Sequence, residues 1–208
     1  MLIGDKVGFI IDYFKNKEVI KTELVYKDQY QLLISVILSA QCTDKRINLI
    51  TPRLFKVFPD YKSLASADEI DVYDIIKSVS YPKNKSERIV NVSKIIHDRY
   101  NDVIPNDFNE LVKIKGIGRK TANLVLSILY DYNGIAVDTH VLRVSNRLGL
   151  VESNNPDVVE KNLANIFSKE YFNKINPWFV IFGRYICKAK NPLCIDCDLK
   201  KICCYKNQ

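Results

Sequence analysis

Apolar residues recur along this chain at helical spacing rather than in the alternation of a half-buried strand. Ile3, Val7, Ile10, Ile11 and Phe14 form one stripe, Ile89, Val92, Ile96 and Tyr100 a second, and Val141, Val144 and Leu148 a third. That i, i+3, i+4 pattern places each set on one face of an α-helix. Two segments, YQLLISVILSA (30–40) and TANLVLSILY (121–130), are apolar on almost every side and predict buried helices. Phe108, Leu111, Val112 and Ile114 predict another helix, begun by Asn106 or Asp107. Further starts are expected at Thr43 or Asp44, Ser66 or Asp68, Asn84, and Asp138 or Thr139. Pro52 lies inside ITPRLFKVF, where a helix should begin or kink. No strand pattern, internal repeat or low-complexity run interrupts this, so the expected fold class is all-α.

Glycine punctuates the pattern in one informative place. None occurs between Gly8 and Gly116, and then Gly116 and Gly118 fall two residues apart, in KGIGRKTAN. The turn at 115–118 is therefore the point in the first half that calls for unusual backbone freedom. Gly118, Lys120 and Thr121 look like the end of a nucleotide-binding P-loop. However, Arg119 separates the glycine from the lysine, no glycine stands five residues before Gly118, and a helix rather than a strand leads in. The stretch reads as helix, tight turn, helix.

Composition narrows the class of partner. The 208 residues carry a net charge of +7, with a pI near 9.0 and 47% hydrophobic residues. This describes a globular protein with a basic surface, suited to a polyanion or simply well solvated. The longest apolar run, LLISVIL (32–38), is far short of the ~20 residues that a bilayer-spanning helix needs. The N-terminus lacks the basic and apolar regions of a signal peptide, so a cytoplasmic address and no membrane partner are expected. In that compartment cysteines serve as metal ligands or free thiols more often than as disulfides.

Five of the six cysteines fall in the last 22 residues. Cys187, Cys194, Cys197 and Cys203 give C-x6-C-x2-C-x5-C, with Cys204 adjacent. Four thiolates on one loop suit a tetrahedral metal or an iron–sulfur cube, and the presence of only one short C-x2-C pair favours the cluster over zinc. Cys204 is either an alternative to Cys203 or a spare thiol. Cys42 reads as a small core residue. Six Lys or Arg and only two Asp lie between Arg184 and Lys206, a collar suited to phosphate contacts or to solubility alone.

Together these segments resemble the endonuclease III family of helix-hairpin-helix DNA glycosylases over nearly the whole length. SAQCTD (39–44), GIGRKTAN (116–123), VDTHVLRVSNR (137–147), Trp178, GRY (183–185) and the cysteine spacing fall in that family's order. The resemblance implies two helical domains flanking a DNA-binding cleft. Residues 22–132 would form a six-helix barrel with the hairpin at about 107–130, and residues 1–21 plus 133–208 a domain holding a structural [4Fe-4S] cluster. It further implies a monomer acting on duplex DNA that contains damaged pyrimidines or abasic sites. The expected chemistry is bifunctional: removal of an oxidised pyrimidine, then β-elimination 3′ to the abasic site.

Site residues follow from the same resemblance. The KGIG turn and the start of the next helix would hold a DNA phosphate, through Gly116, Gly118 and Arg119. Lys120 would attack C1′ and form a Schiff base, its neutral form favoured by the helix start and partial desolvation. Asp138, on its residues alone an ordinary N-cap, would be the essential carboxylate, facing Lys120 across the cleft. Gln41 would fill the gap left by the extruded nucleotide, and position 81 would wedge into the opposite strand. Lys188 and Lys190 would contact DNA from the cluster loop. This chain departs from the family's pattern at Tyr81-Pro82, Ser80, Phe182 and Asn191. Two rival readings are the adenine-specific mismatch glycosylase of the same superfamily, which lacks a lysine at position 120 and carries a further domain, and a non-catalytic DNA-binding protein, which has no use for Lys120 and Asp138 together.

Overall fold

The computed structural model describes residues 1–17 and 22–205. Residues 18–21, next to the expected 21/22 domain boundary, and Lys206 of the basic collar lie outside the described residues. Among the described residues there are α-helices, short 3-10 turns and no strand. The helices are α1 (Ile3–Phe14), α2 (Gln29–Leu38), α3 (Asp44–Val57), α4 (Tyr61–Ala65), α5 (Glu69–Ile76), α6 (Pro82–Tyr100), α7 (Phe108–Lys113), α8 (Arg119–Tyr130), α9 (Thr139–Arg147), α10 (Pro156–Ile166) and α11 (Phe172–Tyr185). The chain divides into two units, Glu23–Tyr130 and a discontinuous one made of Met1–Thr22 with Asp131–Gln208.

In the unit Glu23–Tyr130, α2 is the buried axis that its sequence predicts, with Tyr30 and the whole run from Leu32 to Leu38 buried. Helices α4 and α5 pack on α6, and α8 packs on α2. Tyr30 meets Tyr61 edge-on at 4.8 Å and donates its hydroxyl to the Phe58 carbonyl at 2.7 Å, which satisfies a polar group in an apolar setting. Helix α8 buries one face, through Ala122, Asn123, Val125, Leu126 and Ser127, so the expectation of burial all round is too strong.

In the discontinuous unit, Val7, Ile10 and Phe14 of α1 join α9, α10 and α11 in one core. Phe14 stacks on Trp178 at 5.3 Å and meets Phe182 edge-on at 6.0 Å. Phe182 is thus a core residue here, and packing accounts for its identity.

Caps locate most helix starts. Thr43, Asp68, Asp107 and Asp138 each accept a backbone N–H of the first turn, settling the pairs that sequence left open. Two expectations need correction. Helix α6 starts at Pro82 rather than after Asn84, because proline's fixed φ and missing N–H suit the first helical position. Of the start or kink expected at Pro52, the start does not occur: α3 runs through the proline, while Thr51 returns its hydroxyl to the Ile47 carbonyl at 3.1 Å.

Between α7 and α8 the chain makes its tight turn, with Ile117 N–H donating to the Ile114 carbonyl at 2.9 Å. Gly116 carries the unusual backbone, at φ 110°, and a Cβ there would sit 2.8 Å from Arg88 Cγ and 3.0 Å from Val92 Cγ2 of α6. Gly118 is different. Its φ is ordinary and an added Cβ would meet open space, so the expected bend belongs to Gly116 alone. Gly116→Ala should therefore cost about 1–3 kcal/mol in denaturant unfolding, and Gly118→Ala should change stability by no more than about 0.5 kcal/mol. Equal losses at the two glycines would contradict this division.

Candidate functional site

Among the described residues, seven helices begin at an Asp, Thr or Asn whose side chain accepts a first-turn amide: Asp28, Thr43, Asp60, Asp68, Asp107, Asp138 and Asn155. Helix α8 instead follows Gly118, which has no side chain to offer. Its carbonyl accepts the first helical bond, from Ala122 N–H at 3.0 Å. Arg119 and Lys120, the first two residues of α8, are exposed, and the Arg119 guanidinium lies over the Phe108 ring at 4.8 Å. Exposure of Lys120 corrects the expectation of a partly desolvated amine.

Gln41 and Tyr81, expected to enter DNA, occupy two turns of this same unit. Both are exposed, and both hold left-handed backbone at φ 55°. For residues with a Cβ this conformation costs on the order of 1 kcal/mol or more, and it persists only where neighbours impose it. The Ser80 hydroxyl donates to the Gln41 carbonyl at 2.6 Å. Lys85, only 3% exposed, donates from Nζ to the Leu38 carbonyl at 2.8 Å and the Ala40 carbonyl at 2.7 Å. Those carbonyls lie at the C-terminal end of α2, where a cation is favoured. Burial nevertheless pushes the Lys85 ammonium below the ordinary lysine range, with Cys42 opposing the shift and Arg88 adding to it. Cys42, expected in the core, is half-buried at this turn.

The other unit holds Asp138. Its Oδ1 accepts from both His140 N–H at 2.8 Å and Val141 N–H at 2.9 Å, so a single oxygen performs the capping and clamps the side chain. Two arginines one turn apart on α9 face the cysteine loop. Arg143 donates from Nε to the Cys187 carbonyl at 3.1 Å, and from Nη2 to the Gly183 carbonyl at 2.9 Å and to His140 Nδ1 at 3.1 Å. Arginine only donates, so His140 Nδ1 accepts, in keeping with burial pushing this histidine below its ordinary value. A Cβ on Gly183 would meet His140 Nδ1 at 2.9 Å, which explains a glycine mid-helix. Arg147 donates to the Lys188 and Ala189 carbonyls at 2.7 and 3.1 Å and reaches Cys187 Sγ at 3.4 Å. Its own carbonyl receives Cys203 Sγ–H at 3.2 Å and Cys204 N–H at 2.8 Å. The VDTHVLRVSNR segment contains both arginines without marking a task for either; their spacing on one helix face is the signal it offers.

Cys187, Cys194, Cys197 and Cys203 gather on this loop. Burial pushes the Cys197 and Cys203 thiols up; Cys187, Cys194 and Cys203 add to the shift at Cys197, and Cys187, Cys194 and Cys204 to that at Cys203. The four sulfurs are therefore electrostatic neighbours. Among the described residues, however, no group of three or more His, Cys, Asp or Glu side chains is drawn together for a single metal ion. Cys204 Sγ instead receives the Lys6 ammonium at 3.1 Å. Lys188 and Lys190 are exposed on the same loop, and Asn191 beside them has φ 50°. Thus Gly116, Gly118, Arg119, Lys120, Gln41 and Tyr81 belong to the unit Glu23–Tyr130, while Asp138, the four cysteines, Lys188 and Lys190 belong to the other.

Comparison with known proteins agrees along the whole chain. Residues 34–169 match the family of HhH-GPD superfamily base excision DNA repair proteins. The chain is 42% identical to an endonuclease III of Rickettsia felis over 97% of its own length and 95% of that relative. It is 39% identical to the Bacillus subtilis endonuclease III over 96% of its length and 89% of the relative's. Among solved structures, an endonuclease III trapped as a covalent intermediate with DNA is similar at a TM-score of 0.90 and 36% identity, over 98% of this chain and 96% of that one. A thermostable thymine-DNA glycosylase shares the fold at a TM-score of 0.80 and 18% identity, over 98% and 95% of the two chains. The all-helical fold with its glycine turn and this likeness over nearly the full length together make the chain a member of the endonuclease III family, within the helix-hairpin-helix base excision repair glycosylases.

Proposed function

We propose that this base excision glycosylase and AP lyase removes oxidised pyrimidines from duplex DNA, with Lys120 as nucleophile and Asp138 as its carboxylate partner. One observation carries the reading: an exposed lysine stands at the second position of a helix that begins directly after a glycine. A helix start of that kind attracts a backbone phosphate, and the phosphate brings the sugar of its own nucleotide toward the amine. The similar endonuclease III that was caught covalently joined to DNA supports an amine route.

The steps follow from the residues. Lys120 must lose a proton, and the water around its exposed side chain is displaced when duplex DNA covers it. Its lone pair bonds C1′ as the glycosidic bond breaks, and the base leaves with that electron pair and gains a proton. Asp138 accepts the proton from the amine and offsets the positive charge that develops on the sugar. The C1′–O4′ bond then breaks as the nitrogen lone pair forms C1′=N, and O4′ takes a proton to become a hydroxyl. The resulting Schiff base acidifies C2′–H; loss of that proton expels the 3′ phosphate, and water then releases the lysine. Capping through Oδ1 fixes where the Asp138 carboxylate stands, so it needs little reordering as charge develops.

Cys187, Cys194, Cys197 and Cys203 would hold the [4Fe-4S] cluster. Four soft thiols with no oxygen donor among them suit iron or zinc. The presence of only one short C-x2-C pair favours the cluster, since zinc sites more usually show two. When bound, it supplies cross-linking of the loop rather than reaction chemistry. Arg147 then holds Lys188 and Lys190 by their backbone neighbours, presenting two ammonium groups to DNA. Engagement of Cys204 by Lys6 favours Cys203 as the fourth ligand.

Lys120→Ala should abolish borohydride trapping on an oxidised-pyrimidine duplex. Asp138→Asn should slow single-turnover excision by about a hundredfold or more, with thermal stability nearly unchanged, since asparagine also caps helices. Trapping that persists without Lys120, or full activity in Asp138→Asn, would refute these roles. The purified protein should be brown, absorb near ~400 nm and contain iron; an active, colourless, zinc-loaded protein would refute the cluster.

A further inference from the structure

We propose that Lys85 and Ser80 are positioning residues that lock the Gln41 turn and the Tyr81 turn into one rigid element, so that both side chains enter the duplex together. The inference rests on the reading of Gln41 and Tyr81 as the residues that enter DNA.

Two exposed residues with left-handed backbone, on turns separated by α3, α4 and α5 in sequence, need something to impose their conformation. The imposed contacts come from one short segment. Ser80, the residue before Tyr81, grips the Gln41 carbonyl, and Lys85, in the first turns of α6, grips the carbonyl of Ala40 just before it. The third contact, from Lys85 to Leu38, anchors the pair to the end of the buried helix α2. Neighbouring charged or titratable groups are Cys42 and Arg88, and neither supplies a carboxylate to Lys85. The ammonium therefore spends its bonds on backbone carbonyls, the usual way to fix a loop rather than to pair a charge.

Ser80 is one of the positions at which this chain departs from the pattern it resembles, and a residue without a hydroxyl could not close the contact. The latch through Ser80 is thus a feature of this sequence, added to the lysine clamp. Without the latch, the Gln41 turn keeps its lysine clamp but loses its direct link to the Tyr81 turn. Insertion of the two side chains then becomes two separate orderings, each opposed by its own entropy.

A double-mutant cycle tests this with the intact protein and a duplex carrying an oxidised pyrimidine beside 2-aminopurine. Ser80→Ala should reduce the single-turnover excision rate and the rate of the 2-aminopurine fluorescence rise about fivefold, the effect of one lost hydrogen bond. In a Gln41→Ala background the same change should have no further effect. Lys85→Met should slow both by about tenfold or more, and Lys85→Arg should recover part of the loss; Ser80→Ala decides the question should Lys85→Met not fold. Equal slowing by Ser80→Ala in both backgrounds would overturn the latch. Wild-type rates in Ser80→Ala and Lys85→Met, with Gln41→Ala slow, would overturn this inference and leave the role of Gln41 standing. Wild-type rates in Gln41→Ala would remove the reading beneath it.

Discussion

Everything in the proposed chemistry depends on a helix whose first residue follows a glycine. An α-helix leaves its first amides without intrahelical partners, and this chain usually meets that need with an Asp, Thr or Asn side chain. At Gly118 there is no such side chain, and α8 begins at the very place where Lys120 stands. Gly116 makes the site possible in a separate way. Its left-handed backbone and missing Cβ let the turn lie directly on Arg88 and Val92, so the start of α8 is pinned to α6. One glycine shapes the turn and the other leaves room in front of it.

The discontinuous unit concentrates its tasks on α9 in the same economical fashion. Its cap is Asp138, its next turn carries His140 and Arg143, and Arg147 closes it. The two arginines bind carbonyls of Gly183 and of the loop from Cys187 to Ala189, so the helix that fixes the carboxylate also shapes the cysteine loop. A substitution at either arginine would therefore disturb the loop without touching a single cysteine. Charge follows the same logic, since guanidinium groups beside Cys187 oppose the mutual repulsion that thiolates would otherwise suffer.

Much of this was legible in the sequence. Helical spacing sufficed for the stripes of α1, α6 and α9, and the capping residues marked four starts because Asp and Thr beside an apolar run have one dominant local use. Legibility failed where two signals competed. Pro52 reads locally as a breaker, yet packing of Ile47, Ile50 and Leu54 carries α3 through it. At the start of α6, Asn84 suggests a cap, yet Pro82 is the better first residue. The chemistry of the site was legible through motif order rather than through any one residue, because Asp138 alone is a cap and Lys120 alone a basic surface residue. What remained hidden were long-range contacts to backbone atoms, such as Lys85 to Leu38 and Arg147 to Lys188; they leave no periodic trace, since any residue can supply a carbonyl.

The most direct measurement is the identity of the amine that becomes joined to DNA. Protein reduced with borohydride on an abasic-site duplex, then digested with nuclease and protease, can be mapped by mass spectrometry to the residue carrying the sugar remnant. The account predicts that the adduct lies on Lys120. An adduct on the N-terminal amine, on Lys85 or on a loop lysine such as Lys188, with Lys120 unmodified, would contradict it.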